Sequence, residues 1–363
     1  MKRVLIVNTV NTGYTGITSV MMNYVRRTCD RIQYDFVLCG FVEEAFAEDI
    51  GRLGIPILKP PCSRVKNPVR YYFWLRAILK AKHYDVIHVH GNSGTMYIEI
   101  RAAQSAKIPV RIAHSHSTSC KFQLAHKLLK PLLNRSVTHA VACSEKAGQW
   151  LFDRAYTVLH NGIDVERYRF SPEVREEYRR RLQLEDAFVI GHIGYMAYEK
   201  NHAFLLTVFE KYLLQDPAAH LLLIGDGKLR GEVEQTIAQK GLQKHVSLLG
   251  KRGDVAQLYQ CMDVFVLPSH WEGLPVTLAE AQSAGLQCVV SDTVTSEVNI
   301  TGNVRYLGIG TRDVDAWVRA LLKIKQENKT RLGWSDSIAK SELNIDNGVN
   351  DLLEIYGCKK QER

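Results

Sequence analysis

Val264-Phe-Val-Leu-Pro-Ser-His-Trp-Glu272-Gly-Leu-Pro275-Val-Thr-Leu-Ala-Glu280-Ala281 reads as one complete strand, loop and helix. Val264–Leu267 is a short continuous apolar run, the kind buried on both faces of a parallel sheet. The loop after it carries Glu272 and Gly273. Pro275 suits the first turn of a helix, because its fixed φ fits there and its missing N–H is not needed. The helix is expected to reach about Ala284, with Gly285 as its C′ residue. A strand that feeds a helix N-terminus through such a turn is an anion site. The turn Gly273-Leu274-Pro275-Val276, through the backbone N–H groups of its non-proline residues, can hold a diphosphate without help from a side chain.

The same pattern recurs along the chain. In the first half, apolar runs stand at Val4–Val7, Phe36–Leu38, Ile55–Leu58, Val86–Val89, Val110–Ala113, Ala140–Ala142 and Thr157–Leu159. Pro56 makes the third a weak or edge strand. In the second half they stand at Phe188–Ile193, Leu221–Ile224, Val246–Leu249, Val264–Leu267, Cys288–Ser291 and Val304–Leu307. Alternation with helical segments predicts βαβ units and parallel sheets. Between about residues 161 and 187 the pattern breaks, at Asn161-Gly162-Ile163-Asp164 and the charged stretch Glu173 to Glu185. This reads as an interdomain linker and a surface helix. The expected fold class is therefore α/β, with two Rossmann-like domains whose parallel sheets face across a cleft. The domains are placed at residues 1–165 and 166–345. A last helix, near Gly348–Tyr356 within 346–363, can pack on either. Ligands bind such sheets at the carboxyl ends of the strands.

Composition limits the class. The chain has 363 residues, 46% hydrophobic and 23% charged, enough for two ordinary cores. No run of about 18 apolar residues predicts a transmembrane helix. The apolar run Val4–Val7 is too short for a signal peptide and reads as a first strand. Eight cysteines without C-x-x-C spacing predict free thiols in a reducing, cytoplasmic compartment. The net charge of +9 suits nucleic acid, anionic lipid or phosphorylated small molecules. No interleaving of aromatic and basic residues supports nucleic acid. Among the basic clusters, Lys121 to Arg135 mixes leucines with cations. It reads either as a helix lying on an anionic membrane or as an ordinary helix with a solvated basic face.

Other strand ends carry further candidates. Gly191-His-Ile-Gly194-Tyr-Met-Ala-Tyr-Glu199-Lys200-Asn201 makes a tight turn after the first strand of the second half, with Lys200 near the next helix N-terminus. The first strand of the chain leads into Asn11-Thr-Gly13-Tyr-Thr-Gly16, where a phosphate or sugar can approach the backbone. Glu272 and Glu280 stand at different depths of one loop and helix. They suit a grip on hydroxyls at two ends of a long ligand better than a general acid/base pair; plain solvated charges are the alternative. His88-Val-His90 and His114-Ser-His116 each place two imidazoles on one face of a strand. No cysteine or H-x-x-E pattern completes a metal set around them, so hydrogen bonding or packing is expected and no metal. Asp313 and Asp315 have D-x-D spacing but precede a helix, where a cap and a first-turn acid account for both.

Together these segments resemble the retaining, GT-B-fold glycosyltransferases of family 4, which build capsules, exopolysaccharides and lipid-linked sugars. The match spans nearly the whole chain. It includes E-x7-E at Glu272 and Glu280 around Gly273-Leu-Pro, the Gly194 to Asn201 stretch, Gly225-Asp226-Gly227, Gly250-Lys-Arg252-Gly-Asp254 and the Asn161-Gly162-Ile163-Asp164 turn. The resemblance implies that Glu280 holds the ribose of a nucleotide-sugar donor and Glu272 the transferred sugar. It implies that Lys200 and the Gly273–Val276 amides, with Gly194 in the turn, hold the diphosphate. Gly16 would lie by the phosphate and His116 by the sugar's reacting carbon. It also implies no metal and no cofactor beyond the donor, UDP before GDP. The acceptor would be a glycan or a polyprenyl-linked sugar, met from the cytoplasm, peripherally on the inner membrane face.

Two positions depart from the family pattern. Tyr195 stands where members carry Arg after the glycine, and Arg252 is the expected substitute. Thr15-Gly16-Ile17-Thr18 stands where G-G-x-E is usual. A sugar-nucleotide 2-epimerase, or a binding protein that has lost transfer, are the alternative functions.

Overall fold

The computed structural model describes residues 1–13, 16–327 and 330–358, Ala45 by its backbone alone. It divides into two compact units, Met1–Gly162 with the chain from Ile345 onward, and Ile163–Asn344.

The first unit holds seven strands: β1 (Lys2–Asn8), β2 (Ile32–Leu38), β3 (Ile57–Leu58), β4 (Val86–Gly91), β5 (Val110–Ser115), β6 (His139–Ala142) and β7 (Thr157–Val158). They form one parallel sheet in the order β3-β2-β1-β4-β5-β6-β7. Its helices are α1 (Gly16–Thr28), α2 (Glu44–Arg52), α3 (Pro68–Lys82), α4 (Tyr97–Ser105), α5 (Gln123–Ser136) and α6 (Glu145–Leu151). Val4, Leu5, Val7, Ile87 and Val89 are fully buried, as continuous β-branched and leucine runs require in a sheet covered on both faces. The two-residue β3, directly after Pro56, lies at the sheet edge, where a missing N–H costs nothing.

The second unit begins with α7 (Val165–Tyr168) and α8 (Pro172–Leu182). Its strands are β8 (Val189–Ile193), β9 (His220–Ile224), β10 (Val246–Gly250), β11 (Val264–Leu267), β12 (Gln287–Ser291) and β13 (Val304–Leu307). They form a parallel sheet in the order β10-β9-β8-β11-β12-β13. The remaining helices are α9 (His202–Leu213), α10 (Arg230–Gln239), α11 (Val255–Cys261), α12 (Val276–Ser283), α13 (Val314–Glu327) and α14 (Trp334–Ala339). The final helix, α15 (Ile345–Ile355), returns to the first unit and contacts α1 there.

The charged stretch Glu173 to Glu185 holds the surface helix α8, and its arginines dock it on its own unit. Arg175 of α8 donates to the Gln260 and Met262 carbonyls at 2.9 Å and pairs with Asp263. Arg179 bonds the same carboxylate at 3.1 Å. Asp263 in turn accepts from the Val189 amide at 2.7 Å, so α8 is tied to the start of β8. Asp313 accepts from the Gly310 amide at 2.9 Å, and Asp315, in the first turn of α13, pairs with Lys211. These are structural uses of both acids.

Candidate active site

The second unit's candidate residues gather where β8 and β11, neighbours in the sheet, release their chains. After β8 the turn closes on itself. The Gly194 amide donates to the Ile224 carbonyl at 3.0 Å, and a Cβ on Gly225 would sit 2.0 Å from the Gly194 oxygen. Gly225 also has φ +133°, so both space and backbone demand glycine there. A short 3₁₀ turn, Tyr198–Lys200, then aims Lys200 back over Gly194, whose added Cβ would meet the Lys200 stem at 3.2 Å.

Lys200 Nζ donates to Glu272 Oε1 at 2.5 Å, and Ser269 Oγ donates to the same oxygen at 2.7 Å. The two charged side chains are only 16% and 13% exposed. Such a pair is stable only when geometry and added hydrogen bonds offset desolvation. Ser269 supplies one such bond. Its own backbone is held through Thr293 Oγ1, which donates to the Ser269 carbonyl at 3.0 Å. The His270 amide donates to the Glu199 carbonyl at 2.8 Å, linking the two loops directly.

Beyond Glu272, Gly273 and Leu274 lead to Pro275, which is the N-cap of α12 and makes no side-chain cap. The expected helix runs one residue shorter at its start, because Pro275 keeps an extended ψ of 103°. Leu278 and Ala279 bond the Pro275 carbonyl, while no side chain among the described residues occupies the donors of Val276 and Thr277 ahead of them. This is the anion-ready helix end expected from the sequence.

Glu280, one turn inside α12, accepts from Tyr168 Oη at 2.8 Å and from Tyr259 Oη at 2.9 Å. Tyr259 Oη also lies 2.9 Å from the Thr277 carbonyl, a second acceptor for its single proton. Burial pushes the Glu280 carboxyl up to about 7, against the lowering pull of both tyrosines and of Arg167. Tyr168 comes from α7 and Tyr259 from α11. Neither was anticipated, since a buried tyrosine leaves no mark in a sequence pattern beyond an apolar position.

Two other candidates are placed differently. Tyr195 is exposed, with 48% of its surface open. Arg252 follows β10, at the far edge of the sheet from β11, and chelates Asp254 at 2.8 and 2.6 Å. Tyr178 Oη donates to the same aspartate at 3.2 Å. The pair takes two of the five guanidinium donors, and Arg252 follows a strand three places from β11.

In the first unit, His88 and His90 of β4 lie beside His114 and His116 at the end of β5, where His90 registers with His114. All four are buried. Rings stack along each strand with centroids 4.1 Å apart. Across the strands, His88 Nε2 and His114 Nδ1 are 3.2 Å apart, and His90 Nδ1 and His116 Nε2 are 2.9 Å apart. His88 Nδ1 also meets Tyr356 Oη, at the end of α15, at 2.8 Å. Burial pushes His88 and His116 down to about 3, and His90 and His114 well below the usual imidazole range, so all four are neutral near pH 7. Nitrogens of His88, His90 and His114 lie within 4.8 Å of one another, close enough for a shared ion. Both His88 nitrogens are already engaged, however, by Tyr356 and His114. The donor chemistry therefore fits a hydrogen-bonded ladder better than a metal centre. His116 Nδ1, like His90 Nε2 and His114 Nε2, is buried without a hydrogen-bond partner among the described residues. Gly16 opens α1 at the carboxyl end of β1 and is exposed, with open space where a Cβ would stand. Thr15, beside it in the departing motif, lies outside the described residues.

Residues 174–341 match the family model described as Glycosyl transferases group 1, and residues 14–167 the model described as Glycosyltransferase Family 4. The chain is 30% identical to the putative glycosyltransferase EpsF of Bacillus subtilis (strain 168), over 99% of this chain and 98% of the relative. It belongs to the group 1 glycosyltransferases of family 4. This family 4 glycosyltransferase is also 27% identical to the UDP-Gal:alpha-D-GlcNAc-diphosphoundecaprenol alpha-1,3-galactosyltransferase of Escherichia coli, over 83% of this chain and 82% of the relative. Anabaena Alr3699/HepE, solved in complex with UDP and glucose, superposes with a TM-score of 0.82 at 19% identity, over 98% of this chain and 100% of that one. The two parallel-sheet units are thus those of a GT-B glycosyltransferase acting in glycan biosynthesis.

Proposed function

We propose that the protein is a retaining, metal-independent transferase that moves a sugar from a nucleoside diphosphate, UDP first, to a polyprenyl-linked or glycan acceptor in cell-surface polysaccharide assembly. The second unit takes the donor and the first the acceptor, at the cytoplasmic face of a membrane. The observation that carries this reading is the single βα unit running from Ser269 to Glu280. It presents a carboxylate paired with Lys200, an uncapped helix N-terminus and a second, tyrosine-held carboxylate in that order.

In this reading Glu280 accepts from the ribose hydroxyls, and Lys200 with the α12 amides takes the diphosphate. Glu272 holds sugar hydroxyls. The bond from the anomeric carbon to the phosphate oxygen breaks while a bond to the acceptor oxygen forms on the same face. The acceptor's proton passes to the departing diphosphate. The lysine and the helix end stabilise the charge that develops on the leaving group, and the remaining task is positioning. The lipid-linked acceptor is supported by the galactosyltransferase relative, whose name specifies a diphosphoundecaprenol substrate.

A panel of UDP-, GDP- and ADP-sugars, with free nucleotide measured in EDTA, tests the proposal. Release from one donor, stimulated by membrane lipid, supports it. Binding without release favours a binding protein that has lost transfer, the reading that exposed Tyr195, in place of the family's Arg, would support.

A further inference from the structure

We propose that the first unit docks on an anionic lipid bilayer through the solvent faces of two helices, α3 and α5. The inference rests on the reading of a lipid-linked acceptor and adds the surface that reaches it.

Both helices are apolar on the side a soluble protein normally makes polar. On α5, Leu133 and His126 face inward, while Leu124 and Leu128, at i and i+4, are 73% and 67% exposed. Leu132 continues the stripe, and Phe122 precedes it, also exposed. On α3, Tyr71, Leu75 and Leu79 are buried. Val69 and Phe73, on the opposite side, are 68% and 58% exposed, and Val65 ahead of them is exposed too.

Within the two segments themselves the charges have one sign, and the acid that reaches α5 from outside, Asp153, is paired with Lys130 at 2.9 Å. No Asp or Glu occurs between Asp49 and Asp85, or between Glu99 and Glu145. Those intervals carry eight and seven Lys or Arg respectively. Lys66, Arg70, Lys127 and Arg135 are exposed and have no ion-pair partner among the described residues. Leucine and phenylalanine interleaved with unpaired cations match an acyl surface under anionic headgroups, since each basic residue near such a surface adds attraction. A protein partner would need an equally apolar and wholly acidic face.

The two stripes belong to one surface. Helix α4 lies between α3 and α5 and contacts both. Arg64, next to Val65, donates to the Thr95 carbonyl at 2.8 Å and to Glu99 Oε1 at 2.6 Å. On the other side of the same turn, the Gly94 amide donates to His126 Nδ1 at 3.1 Å. A Cβ on Gly94 would sit 2.6 Å from backbone atoms of His126 and Lys130, so α5 can approach only a glycine there. Both helices begin at the carboxyl edge of the sheet, after β3 and β5, the edge that also carries His116. A bilayer held there lies beside the place where a lipid-borne sugar is needed.

The test is flotation of the full chain with vesicles of phosphatidylcholine, alone or with phosphatidylglycerol, at low and high salt. Val69→Ser with Phe73→Ser, and Leu124→Ser with Leu128→Ser, are compared singly and combined. All four positions are exposed, and thermal melts check folding. Wild type is expected on anionic vesicles only, less at high salt. Each pair should lower partition about tenfold, and the combination should abolish it. Equal binding to neutral vesicles, or an α3 pair that floats like wild type, would overturn the proposal. A wild-type dimer that the combined variant converts to monomer would also overturn it, by showing that a second copy covers this face. UDP binding, measured alongside, should not change in any variant. Its absence from wild type would sink the transferase reading while leaving the docking surface standing.

Discussion

Lys200 and Glu272 share a hydrogen bond of 2.5 Å, so the cation assigned to the diphosphate and the carboxylate assigned to the sugar form one unit. The ammonium has three protons and can keep Glu272 while donating to a phosphate oxygen. Glu272 thus positions Lys200 and tempers its charge. Substituting Glu272→Ala should leave UDP affinity unchanged or raise it a few-fold, because Lys200 is released. Turnover should fall about a hundredfold or more, as for other losses of transition-state positioning. Calorimetry and nucleotide release separate the two effects. Parallel losses in both would show that Glu272 is a nucleotide contact.

Lys200→Ala removes the other partner and strands a carboxylate that is 13% exposed. Fully buried pairs lose more, but residual exposure should hold the cost to about 1–3 kcal/mol of stability. The melting temperature should fall accordingly. UDP affinity should drop about tenfold or more with the lost charge-assisted bond, while affinity for uridine, which has no phosphate, should not.

Glu280 supplies a pH dependence. Its folded-state value of about 7 lies above the ordinary carboxylate value of 4.5. The folded protein therefore holds more protons than the unfolded chain between these values, and Glu280's contribution to stability falls as pH rises through that window. Ribose hydroxyls need an acceptor, so UDP affinity should rise with pH up to about 7. Glu280→Gln should bind weakly, and comparing the two cancels the ligand's own ionisation. Tyr259→Phe removes a bond that holds the carboxylate down and should move the transition to higher pH. A wild-type profile parallel to that of Glu280→Gln would rule out the ribose role.

The histidine ladder acts in the opposite sense. His88 and His116, held near 3 by burial, stay neutral while their unfolded counterparts protonate below about 6.5. The unfolded state then binds more protons, so stability should fall as pH drops from 6.5 towards 3, by up to about 1.4 kcal/mol per unit for each histidine. Urea unfolding at pH 7 and pH 5 measures the slope. His88→Asn should flatten it, and a slope unchanged by that variant would mean the ladder is not what titrates.

Much of the fold was legible because parallel strands buried on both faces must be continuous runs such as Val4–Val7 and Val264–Leu267. The edge placement of β3 followed from Pro56. The stretch at 161–187 does hold the passage between units, at Gly162–Ile163, and a surface helix, but charge predicts exposure and says nothing of a partner far away. Arg175 and Arg179 are charged, yet Asp263 and nearby carbonyls bind them. At the candidate site, spacing marked Glu272, Glu280 and Lys200 but could not join them. The tyrosines on Glu280 come from α7 and α11, separated from it by 112 and 21 residues. The placing of His90 beside His114 depends on strand register, which the H-x-H spacing leaves open.

The most direct measurement of the central claim is turnover of the donor that the panel selects, with membrane lipid, in EDTA, for wild type and Glu272→Ala. The account predicts free nucleotide equal to the sugar gained by lipid, retained anomeric configuration, no loss with EDTA, and collapse in the variant. Binding of the donor by wild type without release of nucleotide, with lipid present, would contradict it.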